Sequence, residues 1–484
     1  MKTSLLAIKN ALPGKQPYKV HLISLSLFTV ALFVPMMGRG FIQDDFFYLY
    51  SVAYESLEHG LTHASAGWFY VPLTWLSFKI DWILWGKNAF PFAATNLIIH
   101  IGNTLLLYSL AQQLWRSNVV SWWTAFGFAL LFPANIPIVM WISTRAHVLA
   151  ALFYIATLLA TLWFARTGQN RIFPAIAVVA FSALSLFSKE SSVTIPGAVA
   201  LIIFYERKSK KHERSISLAT IGLFIALFLV VAVYAVLRGR SGALSIAVPN
   251  PMTRYGYALS FRLLGLNLSF YIKETYGFLA LIALAIGASL FISGRRLSLR
   301  LVTKHELLLS VMLFLVMVAP FAFLNVRSSQ YCYLPGIGAA LLLGAVTNSL
   351  YKPTSEAVRY SLLSKLPLAL VVTFCVVSTV IASLRWIRMA ETNSVVLAQI
   401  AAQQPKVKPN TFIALSYSEI DGVNRFPESF ATWSFPFAVQ VLYSEPSLSG
   451  AIVKQGEPYS IDGKIFEADF VYQVSSGKPN VVKQ

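Results

Sequence analysis

Apolar runs of membrane-spanning length follow one another along this chain, and short gaps between them gather its lysines and arginines. A helix rises about 1.5 Å per residue, so roughly 20 apolar residues cross a hydrocarbon core about 30 Å thick. Runs at 20–38, 91–113, 119–139, 147–165, 172–187, 192–205, 216–237, 275–293, 305–324, 334–350 and 362–384 read as spans, about eleven crossings in all. Lipid offers no partner to a bare N–H or C=O, so such runs are helices. The expected fold class is an all-α polytopic membrane protein, a bundle of about 11 spans. Composition agrees: hydrophobic residues are 56% of the chain and charged residues 12%. A soluble fold would lack the polar surface to cover so much apolar side chain.

A net charge of +19 would suit a nucleic-acid partner, but its placement argues against one. The basic residues alternate by gap, as a topology signal does. One set holds Lys2, Lys9, Lys15 and Lys19, then Arg116, Arg166/Arg171, Arg207-Lys208-Ser209-Lys210-Lys211, Arg295/Arg296/Arg300 and Lys352/Arg359/Lys365. These gaps read as cytoplasmic, which puts the N-terminus inside and the C-terminus outside. The first run follows a long basic head, exceeds an h-region and lacks a small-residue cleavage site, so it reads as a retained span. Two cysteines, Cys332 and Cys375, give neither a disulfide framework nor metal-ligand spacing.

The outward gaps carry the chemistry. Loop 39–90 opens on Asp44-Asp45 directly after the first span, and paired carboxylates at a membrane boundary point to a polar cavity. Further along, Trp75, Trp82 and Trp85 within Thr74–Trp85 suit an interfacial amphipathic helix, but a solvated loop with ordinary aromatic anchors is the preferred reading. Asn96, His100 and Asn103 share one helical face, and interhelical hydrogen bonding is the commoner use of such a stripe. Isolated charges then stand beside span ends at Arg145, at Lys189-Glu190 and at Arg327. Any one of these cations is ordinary snorkelling. Several on one side, with two carboxylates, suit a phosphate-bearing ligand.

In order along the chain, the Asp44-Asp45 pair, Tyr70-Val71-Pro72-Leu73-Thr74-Trp75, Asn96-Leu97-Ile98-Ile99-His100, Trp141–Ala146, Ser188-Lys189-Glu190 and Tyr333-Leu334-Pro335 carry a resemblance. The chain resembles the GT-C superfamily of polyprenol-phosphate-sugar-dependent glycosyltransferases. Within it, the chain is similar to the protein O-mannosyltransferase branch, including the transmembrane-and-TPR enzymes. The chain departs from that pattern at Val71, at Phe132-Pro133 and at Pro137, and has no TPR-like repeat after its last span, which leaves sugar and acceptor open.

The resemblance implies transfer of a sugar from a polyprenyl-phosphate-linked donor to a protein, lipid or glycan acceptor on the outer face, with inversion at the anomeric carbon. It implies a multi-pass protein of a bacterial inner membrane, surrounded by membrane lipids. Asp44 matches the family's first acidic position and is the expected base. Asp45 is expected to orient the acceptor, stabilise positive character at the anomeric carbon, or hold a divalent metal, the one cofactor left open. Arg145 and Lys189 are the expected donor-phosphate partners, with Glu190 positioning Lys189 and Arg327 a third cation. The alternatives are a secondary transporter, with the carboxylates as a proton relay, and a lipid-linked glycan polymerase or ligase. No internal repeat is evident and the charges sit at span ends, against the transporter; no Gly-x-x-x-x-Gly-Lys-Ser/Thr motif supports an ATP-driven pump.

The span-bearing region is expected to fill residues 1–403. From 404 the chain turns polar, with strand-like alternation at Thr411–Ser416 and Lys464–Val474 and a hairpin turn at Asp462-Gly463. Residues 404–484 therefore read as a small, outward, β-containing C-terminal domain.

Overall fold

The computed structural model describes residues 15–65, 69–131, 133–167, 171–209, 217–243, 257–293, 304–350, 362–417, 430, 432–455, 460–461, 464–465, 467–474 and 481–483. The basic residues at 210–211, 295–300 and 352–359, the Phe132 departure and the Asp462-Gly463 turn lie outside them.

Among the described residues, fifteen α-helices precede the first strand. They are α1 (Lys15–Phe33), α2 (Asp44–Tyr54), α3 (Leu57–Thr62), α4 (Pro72–Trp85), α5 (Ala89–Trp115), α6 (Asn118–Ala129), α7 (Asn135–Met140) and α8 (Arg145–Arg166). Then come α9 (Ile172–Ser188), α10 (Ile195–Ser209), α11 (Leu218–Arg240), α12 (Phe261–Ile292), α13 (Lys304–Ala322), α14 (Gly336–Leu350) and α15 (Leu362–Gln403). A helix stands at each of the eleven expected spans, and among the described residues seven are long and apolar enough to cross a membrane. The protein is thus a multi-pass membrane protein with a mostly helical fold. Exposed Leu218, Ile225, Phe228 and Leu229 on α11 fit a lipid-facing surface.

Three expected boundaries move. The run 119–139 is not one helix: α6 stops at Ala129, and α7 restarts at Asn135. Asn135 accounts for part of the break, since its Nδ2 donates to the carbonyls of Phe128 and Ala129 that a continuing helix would use. In the opposite sense, α12 begins at Phe261, well before the expected 275. Its polar Asn267 is buried and donates to the carbonyls of Ala322 and Leu324 at 3.0 and 2.8 Å. Finally, α15 runs past the expected 384 to Gln403.

The stripe on α5 bonds between helices. Asn96 Nδ2 donates to Ile142 O at 3.1 Å, and His100 Nδ1 lies 2.7 Å from Tyr333 Oη. Asn103 Nδ2 reaches Val148 O at 2.9 Å and Tyr333 Oη at 3.0 Å. Such bonds average about 0.6 kcal/mol in membrane proteins, so their value lies in fixing the register of α5 against α8 and against Tyr333, just before α14.

The C-terminal segment forms a sheet ordered β2 (Ser449–Lys454), β1 (Phe412–Tyr417), β5 (Phe470–Val474), β6 (Val481–Lys483). Strand β1 is parallel to both β2 and β5, and α16 (Phe435–Tyr443) makes the β1-to-β2 crossover. A separate pair, β3 (Ser460–Ile461) with β4 (Lys464–Ile465), is antiparallel. The expected second strand, 464–474, is therefore two strands in different sheets. The unit sits on α2: Phe430 stacks on Phe46 at 5.6 Å, Phe437 meets Phe47 at 5.2 Å, and Tyr54 Oη donates to Gln440 O at 3.2 Å. Each aromatic pair adds about 0.5–1.5 kcal/mol beyond its buried area.

Candidate functional site

The chain leaves α1 through a 3-10 turn, Val34–Met36, and approaches α2 with Gly38 at φ +73° and Gly40 at φ +146°. A Cβ on Gly40 would lie 2.7 Å from the Ala390 carbonyl oxygen of α15. Only glycine allows this approach, and α15 fixes the segment by Asn393 Nδ2 to Phe41 O and Ser394 Oγ to Arg39 O, at 3.0 and 3.1 Å. Asp44 and Asp45 then occupy the first turn of α2, where the helix dipole favours negative charge.

The two carboxylates have different surroundings. Asp44 is half-buried; Asp45 is 1% exposed. Asp45 Oδ2 accepts the Ile42 N–H at 3.0 Å and Oδ1 accepts the Ser143 N–H at 2.7 Å, tying α2 to the 3-10 turn Ile142–Thr144. Burial pushes its carboxyl up to about 8, the Asp44 charge adds to the rise, and the two amides pull it partly back. The folded chain thus holds this proton more tightly than the unfolded one. The resulting stability is fully present below the ordinary value of 3.8 and is lost as pH rises through about 8. In that window the loss is at most about 1.4 kcal/mol per pH unit. Thermal unfolding of the detergent-solubilised protein should fall in midpoint between about pH 5 and pH 8, with a shallower fall in Asp45→Asn.

Arg145 opens α8 two residues after Ser143, but it is not the accessible cation expected from the sequence. It is 0% exposed. Its Nη1 pairs with Asp81 Oδ2 of α4 at 2.6 Å, its Nε donates to Asn96 Oδ1 at 2.8 Å, and its Nη2 donates to Phe92 O at 2.8 Å. The guanidinium also stacks over Phe78, 4.2 Å from the ring centre. With each nitrogen engaged inside the protein, no fork faces outward for a phosphate.

Lys189 closes α9 and begins the next 3-10 turn, Glu190–Thr194. Its Nζ lies 3.1 Å from Glu190 Oε1 and 3.9 Å from the Phe69 ring centre. For Glu190, burial raises the carboxyl, but the charges of Lys189 and Arg238 outweigh it, so the group sits below its usual range. Thr74 Oγ1 donates to Ser188 O at 2.9 Å and Tyr234 Oη to Tyr70 O at 2.9 Å, which fixes the start of α4 beside Lys189. His147, one half-turn beyond Arg145, is within electrostatic reach of Lys189, and its ring lies 5.7 Å from Tyr331.

Arg327 is exposed and precedes a fourth 3-10 turn, Ser329–Cys332. Among the described residues no ion pair joins it to the other site residues. The structure thus links Asp45 with the Arg145 turn and pairs Lys189 with Glu190. Arg327 is not drawn into either group.

A divalent metal is poorly served here. Among the described residues no group of three or more His, Cys, Asp or Glu side chains gathers, and both Asp45 oxygens already accept backbone amides.

Asp81 is what sequence reasoning passed over. Its signal was a lone carboxylate within the aromatic run of α4, which reads equally well as the polar face of an interfacial helix.

No family model matches the sequence. By sequence the chain is 32% identical to mouse protein O-mannosyl-transferase TMTC1 over 167 residues, which is 32% of this chain and 17% of the relative. The human protein of the same name is 32% identical over 158 residues, 30% of this chain and 18% of the relative. The chain thus spans less than a fifth of the length of these relatives. Among solved structures it is similar to ArnT from Cupriavidus metallidurans bound to undecaprenyl phosphate. That likeness has 12% identity and a TM-score of 0.48, over 92% of this chain and 87% of that one. It is also similar to the Archaeoglobus fulgidus oligosaccharyltransferase, at 11% identity and a TM-score of 0.47, over 89% of this chain and 64% of that one. The resemblance to O-mannosyltransferases expected from the ordered motifs is present in the sequence match.

Proposed function

We propose that this protein transfers a sugar from a polyprenyl-phosphate donor to an acceptor hydroxyl at the outer membrane face, inverting the anomeric centre. The observation that carries the reading is the pairing of one half-buried carboxylate, Asp44, with one buried and clamped carboxylate, Asp45, at the first turn of α2. The sequence likeness to O-mannosyltransferases supports it.

In this mechanism Asp44 accepts the acceptor hydroxyl proton as the new O–C1 bond forms. The C1–O bond to phosphate breaks at the same time, and its electron pair leaves on the lipid phosphate. That group is already a good leaving group and needs no acid. Lys189 balances the charge developing on it, and Glu190 holds the ammonium in place. Arg327, exposed just before the Ser329–Cys332 turn, is the second cation of this reading. Asp45 acts on position: with both oxygens on amides, it sets the N-terminus of α2 against the Ile142–Thr144 turn. Inversion follows from a single displacement.

The orientation places α2 and the C-terminal sheet outside. A cysteine at Ser449 is then labelled from outside only and one at Ser209 from the cytoplasm only. The reverse pattern removes the site from the proposed face. The chemistry is tested by offering the purified protein undecaprenyl-phosphate hexoses and reading products by mass spectrometry, beside uptake into sealed vesicles. Conversion of the donor supports transfer, whereas uptake of unaltered solute supports a transporter.

A further inference from the structure

We propose that the buried Asp81–Arg145 ion pair is a positioning device that holds the Ile142–Thr144 turn where its Ser143 amide can clamp Asp45. In its kinetic consequence this deepens the transfer reading and rests on it; in its structural consequence it stands alone.

The chain of contacts is continuous. Asp81, on α4, is 5% exposed, and its Oδ1 accepts from Thr95 Oγ1 of α5 at 3.1 Å. Its Oδ2 holds Arg145 Nη1 at 2.6 Å. Arg145 Nε donates to Asn96 Oδ1, and Asn96 Nδ2 donates in turn to Ile142 O at 3.1 Å. Ser143, the next residue, donates its amide to Asp45 Oδ1 at 2.7 Å. One guanidinium thus joins α4, α5 and the start of α8, and Asn96 passes that constraint to the first residue of the turn.

Apolar packing between these helices has no direction, so by itself it leaves a three-residue turn free to shift. An Arg fork has fixed geometry, and a buried fork with its carboxylate partner selects one arrangement of its surroundings. Replacing only Asp81 leaves Arg145 as an uncompensated buried cation. The cheapest relief is movement of Arg145 towards water, which drags Ser143 away from Asp45.

The test uses the full chain in nanodiscs. Hydrogen exchange is followed by mass spectrometry in wild type, Asp81→Asn, and the double variant Asp81→Leu/Arg145→Met. The double variant removes both charges together and leaves no uncompensated buried ion, so it reports even where Asp81→Asn folds poorly. The expected result is exchange at amides 143–145 faster by at least about tenfold, with β1 amides 413–416 unchanged. Equal acceleration in both regions means general loosening and overturns the proposal, as does an unchanged turn.

Kinetics supply a second readout, the release of undecaprenyl phosphate from undecaprenyl-phosphate mannose. Positioning predicts a kcat lower by at least about tenfold in Asp81→Asn, with donor KM within about twofold of wild type. A raised KM at normal kcat makes Arg145 a donor contact and overturns the proposal. Asp44→Asn is measured alongside. Wild-type turnover there sinks the transfer mechanism, and leaves the exchange result to decide the positioning claim by itself.

Discussion

Asp44→Asn should lower turnover of a verified donor by ~10²–10⁴-fold, the usual cost of losing a general base. The amide keeps the shape of the carboxylate but cannot take the acceptor proton. Asp44 is half-buried at the first turn of α2, where one charge beside the helix dipole contributes about 0.3–1 kcal/mol. Folding and membrane insertion should therefore survive, with a stability change of about 1 kcal/mol or less. Asp45→Asn should differ in kind. Its side-chain nitrogen must face either the Ile42 or the Ser143 amide, donor against donor, so stability and turnover should fall together. Unfolding midpoints and turnover, measured on the same preparations, separate the two patterns. Full activity in Asp44→Asn would remove the base from the mechanism.

Lys189→Ala should weaken donor use by roughly 10–100-fold, because a charge-assisted bond to phosphate contributes about 1.5–3 kcal/mol. The same change takes the ammonium from the half-buried Glu190, which adds a structural loss to any loss of donor contact. The variant Lys189→Ala/Glu190→Gln removes that orphan charge. If the loss persists in the double variant and appears in donor KM, Lys189 contacts the donor. Recovery to wild-type kinetics assigns the pair a structural role alone.

Much of the helical frame was legible because membrane helices announce themselves by length, and length needs no partner. The Asp44-Asp45 pair was legible for a related reason: carboxylates beside a span are costly wherever they stand. The break after Ala129 is local, through Asn135, but other failures involve partners distant in sequence. Arg145 reads as an open cation until α4 supplies Asp81 and α5 supplies Phe92 and Asn96, which close around it. Residues 261–274 read as loop because Asn267, Lys273 and Glu274 interrupt the apolar run; the carbonyls at the end of α13 that satisfy Asn267 are more than fifty residues away. Strand alternation located β1 and β5, but alternation carries no information on direction, and both β1 pairings proved parallel. The stripe on α5 succeeded because the ordinary use of intramembrane Asn and His is interhelical bonding.

The central claim is that the face holding Asp44 and Lys189 performs a single displacement on a lipid-phosphate sugar. The measurement that tests it most directly is the product of wild-type protein given an undecaprenyl-phosphate hexose of known anomeric configuration. The account predicts one undecaprenyl phosphate freed for each sugar transferred, and a product with the opposite anomeric configuration. Retention of configuration would contradict the displacement, and failure of the protein to break the sugar–phosphate bond of any such donor would contradict the function itself.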